Sequence, residues 1–263
     1  MGQVSEGLPA DRLVGMVSIV VPAHNEAQVL AGTLEALQRA AASLDRPWEI
    51  VVVDDASTDA TARIAGDAVA RVVSVNLRHI AAVRNAGARA AHGDTLVFVD
   101  ADTVVPPETL AAAVRALEAG AAGGGAHVAF DGPLPWYARP GTAATLGFLR
   151  LFTLAAGCFV FCTRRTFEAV GGFDERLFAA EEIAFSVAVK RVGRMVLVRP
   201  AVVTSARKFR THSARELTRM TMAALHLGRR MRSREHLHLW YGDRRHDPGG
   251  DGSAEETVVR RGR

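Results

Sequence analysis

Two carboxylates one residue apart, Asp100 and Asp102, follow the apolar run Leu96-Val97-Phe98-Val99. Hard divalent cations take oxygen ligands and keep phosphate oxygens in the same shell, so such a pair can hold a metal. The bland alternative is a turn, or a cap on the next helix. Asp54-Asp55 closes a second apolar run, and Asn25-Glu26 follows a third. Up to five carboxylates therefore stand behind three runs. Like charges brought together raise one another's pKa and cost energy unless a cation or hydrogen-bond donors relieve them. A single acidic strand end says little, whereas three point to a nucleotide–metal site.

These residues need elements that bring them together. The runs at 17–22, 48–53, 71–75 and 96–99 read as strands, the fully apolar ones as strands buried on both faces. Helical spacing separates them. Asn25, with Gln28 three residues on, reads as a capping box for a helix carrying Val29, Leu30, Leu34, Leu37 and Ala41. Ser57 or Thr58 caps the next, residues 81–91 form an alanine-rich third, and Pro106-Pro107 opens a fourth that Gly120 stops. Four strand–helix alternations predict an α/β fold: a mainly parallel central sheet with helices on both faces. Ligands in such sheets bind at the carboxyl ends of the strands, which is where the carboxylates lie.

Beyond residue 120 the alternation breaks. Gly123-Gly124-Gly125 opens a strand at 126–130. Residues 131–141, with three prolines, Trp136 and Tyr137, form a loop able to cover a site. Further elements are a strand at 157–161, a short helix closing at 167–172, a helix at 183–192 with Ile183, Val187 and Val189 apolar, and a strand at 195–203. Residues 215–231 are amphipathic, with Leu217, Met220, Ala224, Leu227 and Met231 at helical spacing among arginines.

Bulk properties narrow the class. The chain has 263 residues, 49% hydrophobic and 23% charged, which suits one large globular domain. Cys158 and Cys162 make neither a disulfide framework nor a zinc site, and read as small buried apolar residues in a reducing, cytoplasmic compartment. No signal peptide is visible in residues 1–13. Residues 142–162 come nearest to a membrane span, but Arg150 interrupts them, so a helix followed by a buried strand is expected. The net charge of +4 is uneven: from residue 207 on there are 14 Lys and Arg against 7 Asp and Glu. No G-x-G-x-x-G follows the first strand and no G-x-x-x-x-G-K-[ST] occurs, so neither a dinucleotide cradle nor a P-loop is supported.

Five ordered elements now carry a resemblance: Val20-Val21-Pro22-Ala23-His24-Asn25-Glu26; Val53-Asp54-Asp55-Ala56-Ser57-Thr58-Asp59; Val83-Arg84-Asn85-Ala86-Gly87; Asp100-Ala101-Asp102; and Gly171-Gly172-Phe173-Asp174-Glu175 followed by Glu181-Glu182. The chain resembles the family 2 glycosyltransferases of the GT-A fold over residues 17–203. The resemblance implies a metal-dependent, inverting transfer from a nucleotide-diphosphate sugar, UDP- or GDP-linked, to a hydroxyl or phosphate acceptor, lipid-linked or glycan. It places Pro22, Ala23, Asn25, Glu26, Asp54 and Asp55 around the nucleoside and Arg84 at the base or phosphates. Asp100, with Ala101 beside it, falls to ribose or metal, and Asp102 to Mg²⁺ or Mn²⁺. Glu182 is implied as the base, with Glu181 in reserve; the alternative for Glu182 is an acidic residue complementing a helix dipole. The family commonly carries Glu-Asp where this chain has Glu181-Glu182. Arg210 can pair phosphate oxygens and His212 can complete the metal shell, against the alternative of a solvated basic turn. His24 and His79 flank the site without an assigned role.

The implied organisation is an extension at 1–16, a GT-A domain at 17–206 (nucleotide-binding half 17–105, acceptor and catalytic half 106–206), a basic helical segment at 207–247 and a disordered tail at 248–263. The basic segment has three readings: packing on the domain or a second copy, which would make a homodimer; peripheral contact with the inner membrane face; or nucleic acid, which no accompanying module supports. The rival functions are a nucleotidyltransferase, which would want a glycine-rich basic loop after the first strand, and a non-catalytic nucleotide-sugar-binding relative.

Overall fold

The computed structural model describes residues 15–211. Three apolar runs become the central strands β1 (Val17–Ala23), β2 (Trp48–Asp55) and β4 (Thr95–Val99). Every residue of β1 and β4 is buried. With β3 (Arg71–Val75) they form a parallel block in the order β3-β2-β1-β4. Helices α1 (Leu30–Ala42), α2 (Thr61–Asp67), α3 (Ile80–Ala90) and α4 (Pro107–Glu118) make or follow the crossovers. Side chains alternate between the faces. Val17, Ile19 and Val21 join Leu30, Leu34, Leu37 and Leu110 of α1 and α4. Val20, Val51, Val53 and Phe98 join α3 and a phenylalanine cluster, Phe167, Phe173 and Phe185.

The second half is mixed. The sheet continues through β7 (Phe159–Thr163), β6 (Gly123–Phe130), β8 (Met195–Thr204) and β5 (Thr103–Val104), making eight strands. β7 runs antiparallel to β4 and β6, β8 is parallel to β6, and β5 is antiparallel to β8. The sheet is mainly parallel, as expected, and the antiparallel pairings all involve β7 or β5. Helices α5 (Arg139–Leu151), α6 (Arg164–Val170), α7 (Glu181–Val192) and α8 (Arg207–Thr211) complete the described chain. Residues 142–162 divide into α5 and β7, and no described helix is long and apolar enough to cross a membrane. Both cysteines are buried and free. His212 and the basic segment beyond it lie outside the described residues.

Several local expectations are corrected. α1 begins at Leu30 and α2 at Thr61, neither with a side-chain cap. Asn25, Ser57 and Thr58 instead bond one another across the sheet edge: the Asn25 N–H donates to Ser57 Oγ at 3.0 Å, and Asn25 Oδ1 accepts from the Thr58 N–H at 2.8 Å. Asn25 and Ala56 hold left-handed φ values of 52° and 54°, so these turns run past the strand ends before a helix can start. Gly123-Gly124-Gly125 lies within β6 rather than before it. A Cβ on Gly124 would fall 2.3 Å from the Val196 carbonyl oxygen and 2.5 Å from the Phe161 ring, so the bare backbone lets three strands close up. In α7, Val187 is exposed, and the inner face is Glu181, Phe185, Ser186 and Val189.

Candidate active site

The most deeply buried charged residue among those described is Arg84, on the sheet-facing side of α3. One turn on, Gly87 has no room for a side chain: a Cβ there would sit 2.3 Å from Val20 Cγ1. That close approach of α3 to β1 carries Arg84 into the interior, where it is 2% exposed. Its Nη1 donates to Glu181 Oε1 at 2.6 Å, and its Nη2 donates to Asp100 Oδ1 at 2.9 Å and to the Gly157 carbonyl at 2.8 Å. The guanidinium also lies 5.4 Å from the Phe173 ring centroid. Burial opposes its charge, but Asp100, Glu181 and Glu182 outweigh that and raise its pKa.

Glu181 and Glu182 open α7, where Ala180 turns the chain in with φ 60°. Glu181 is buried and held by Arg84. Glu182 sits beside it without sharing that bond. A Cβ on Gly157 would lie 3.4 Å from both Arg84 Nη2 and Glu182 Cδ, so the glycine is the spacer between them. Burial, then the Glu181 charge, push the Glu182 carboxyl up to about 8, against the pull of Arg84. The loop before α7 is tied back to α3 by Asn85. Its Nδ2 donates to the Phe173 carbonyl and to Glu175, and its Oδ1 accepts from the Phe173 N–H.

Asp100-Ala101-Asp102 is fixed through its backbone from three directions. The Asp100 N–H donates to the Cys158 carbonyl, Thr33 Oγ1 donates to the Ala101 carbonyl, and the Ser205 N–H donates to the Asp102 carbonyl. The side chains are left toward the cleft, Asp100 34% and Asp102 16% exposed. Among the described residues no group of three His, Cys, Asp or Glu could hold a metal. Two oxygen-donor carboxylates at this spacing nevertheless suit Mg²⁺ or Mn²⁺, which are commonly held by one or two carboxylates while substrate phosphates complete the shell.

On the β1–β2 side, Asp55 Oδ1 accepts from the N–H groups of Leu77 and Arg78 at 2.7 and 3.0 Å. Asp54 is buried, and its Oδ1 has no hydrogen-bond partner among the described residues. His24 bonds the Asp55 carbonyl through Nδ1 and also contacts Arg78. Pro22 and Ala23 end β1 at this edge, Ala23 in register with Asp54. Glu26 is buried, its N–H bonded to Thr61 Oγ1. Its carboxylate is met by Arg207 at 2.8 Å, and the same guanidinium is 3.9 Å from Asp102. Arg210, expected at phosphate, pairs with both oxygens of Asp131. Sequence reasoning did not single out Arg207 from its basic hexapeptide, or Asn85 and Gly157 as positioning residues; only their place beside Arg84 or Asp102 reveals them. His79 is buried, neither ring nitrogen has a partner among the described residues, and its ring is tilted against Phe178 at 4.3 Å.

A model of the glycosyl transferase family 2 matches residues 18–172. The chain belongs to that family. That membership sets aside the nucleotidyltransferase alternative. An undecaprenyl-phosphate 4-deoxy-4-formamido-L-arabinose transferase of Pectobacterium carotovorum subsp. carotovorum (strain PC1) is 35% identical over 103 residues, 36% of this chain and 31% of that protein. Its counterpart in Pseudomonas syringae pv. syringae (strain B728a) is 36% identical over 115 residues, 41% and 34% of the two chains. This chain thus spans about a third of the length of these curated relatives. Two solved structures share the GT-A fold. The mannosyltransferase PcManGT from Pyrobaculum calidifontis, in complex with GDP-Man and Mn²⁺, has a TM-score of 0.61 at 21% identity, covering 93% of this chain and 74% of that one. The glucosyl-3-phosphoglycerate synthase from Mycobacterium tuberculosis, with Mn²⁺, UDP and glucosyl-3-phosphoglycerate, has a TM-score of 0.57 at 21% identity, covering 88% and 81%.

Proposed function

We propose that this family 2 glycosyltransferase moves a sugar from a UDP- or GDP-sugar to an acceptor oxygen, with a divalent metal and inversion at the anomeric carbon. The observation that carries the reading is the meeting of Asp100, Glu181 and Glu182 around one buried arginine. Arg84 joins the donor side of the cleft to the acceptor side and fixes their separation. Asp100 and Asp102 would hold Mg²⁺ or Mn²⁺, which when bound offsets charge on the departing diphosphate. Arg207, beside Asp102, is the cation best placed to reach a phosphate oxygen, a role first expected of Arg210. Asp54 and Asp55 face the nucleoside.

Glu182 acts as the base. Glu181 is committed to Arg84, whereas Glu182 carries the raised proton affinity that lets a carboxylate take a proton from an attacking hydroxyl near neutral pH. Attack from the Glu182 side, opposite the leaving diphosphate, inverts the anomeric centre. The curated relatives are named for an undecaprenyl-phosphate acceptor, which supports a lipid-linked acceptor here. A thermal-shift panel of UDP-, GDP- and dTDP-sugars with Mn²⁺ or chelator tests the reading, since a ligand bound only to the fold raises Tm by mass action. One base class should stabilise the protein with Mn²⁺ and lose that effect on chelation. No stabilisation by any nucleotide sugar in either condition would sink it.

A further inference from the structure

Among the described helices, α5 is the one without a single buried residue. Its inner stripe, Thr142, Leu146 and Leu149, is half-buried. The opposite stripe is apolar and open: Phe148 is 51%, Leu151 77% and Phe152 48% exposed. Phe148 and Phe152 rest ring on ring at 4.7 Å. In the preceding turn Trp136 is 81% exposed, its ring edge-on to Tyr137 at 5.9 Å. Arg139 Nε bonds the Leu134 carbonyl and ties that turn to the helix. A contiguous exposed patch of this kind marks an interaction surface.

Charge identifies what the surface meets. Residues 132–167 contain four arginines and no Asp or Glu. Arg139 and Arg150 are both exposed and stand about three helical turns apart, so they share one flank of α5. Lys190 of α7 bonds the Phe152 carbonyl and adds a cation at the helix end. A second copy would set like charges against like across a two-fold contact. The residues after 211 are also basic, 11 Lys and Arg against 7 Asp and Glu, so they gain nothing electrostatically on this face. An anionic lipid surface complements all of these charges. Aromatic and leucine side chains beside arginines are the composition of a helix that lies in a bilayer interface.

We propose that α5 and the Trp136–Tyr137 turn dock the protein on an anionic lipid bilayer, with Phe148, Leu151 and Phe152 entering the headgroup region. The chain then runs directly from Phe152 to Gly157, whose carbonyl receives Arg84, so docking sets the cleft against the membrane surface. α8 ends beside this turn, where Arg210 pairs with Asp131 and adds a further arginine. The proposal rests on the surface itself and not on the transfer reading.

The test is flotation of the full-length chain with vesicles of phosphatidylcholine alone or mixed with phosphatidylglycerol, without sugar donor. Wild type should float with the anionic vesicles only. Phe148→Ser/Leu151→Ser and Arg139→Glu/Arg150→Glu should each reduce the bound fraction roughly tenfold or more while leaving Tm and the donor-induced thermal shift unchanged, because these side chains support no core. Four results would overturn the proposal. The first is α5 variants that float like wild type, which assigns binding to the basic C-terminal residues. The second is wild type that ignores anionic vesicles or binds neutral ones equally. The third is a lowered Tm in the apolar variant, which means another segment of the chain covers α5. The fourth is a dimer in light scattering that the variant dissociates, which means a second copy does.

Discussion

Two acidic pairs face the same cleft, and they are held in different ways. In Asp54-Asp55 the anchor is backbone: two N–H groups bind Asp55, while one oxygen of Asp54 has no partner among the described residues. In Glu181-Glu182 the anchor is a single side chain, Arg84, which holds Glu181 and also Asp100, while Glu182 is left with a raised pKa. Each pair thus has one fixed member and one left for chemistry. Neutral amides fix a carboxylate whatever happens elsewhere in the site. A shared arginine makes the acceptor-side carboxylate and Asp100 depend on one residue, and so couples the two halves of the fold.

The comparison breaks most visibly at Arg84. Arg84→Ala leaves Glu181 buried and unpaired, which costs about 3–5 kcal/mol. In a protein of this size that is a fall in Tm of roughly 10 °C or more. Adding Glu181→Gln should return much of the loss by removing the stranded charge, measurable as coupling in denaturant melts. A double variant no more stable than Arg84→Ala would show that Arg84 does not hold the pair. Asp55→Ala should cost less, about 1 kcal/mol, because the Leu77 and Arg78 amides are only partly buried and water can replace the carboxylate. If it matched Arg84→Ala, the contrast between amide and arginine anchors would be lost.

Glu182 gives a stability effect of the opposite sign. Its folded pKa lies above the unfolded value of 4.5, so the fold disfavours its ionised form. Its contribution to stability is complete below pH 4.5 and is lost as pH rises through about 8. In chelator, Glu182→Gln should therefore gain Tm over wild type between pH 5 and pH 9, with the gap widening toward the alkaline end. A gap constant across that range would mean Glu182 is not strained by burial.

The parallel half was legible because strands buried on both faces must be continuous apolar runs, and Asp at their ends has few other uses. Residues 20–26, 53–59 and 100–102 could be placed at one edge on that basis. Helix starts were misread where Asn25, Ser57 and Thr58 look like caps but satisfy one another across about thirty residues, a pairing no local pattern encodes. Gly123-Gly124-Gly125 looks like a turn, since only the neighbouring Phe161 and Val196 show why a strand needs it. Arg84 was tied to the donor because its motif sits there; its bond to Glu181 spans 97 positions and appears only in three dimensions. The exposed stripe of α5 has ordinary helical periodicity, and periodicity does not say which side meets the domain.

The central claim is that Glu182 takes the proton while Asp100 and Asp102 hold the donor. It is tested most directly by measuring donor affinity and turnover together for Glu182→Gln, beside Asp102→Ala, once the thermal-shift panel has chosen the donor. Glu182→Gln should bind the nucleotide sugar and Mn²⁺ as wild type does and lose about 10²–10⁴ in turnover, whereas Asp102→Ala should lose metal-dependent binding and turnover together. Unchanged turnover in Glu182→Gln would contradict the account.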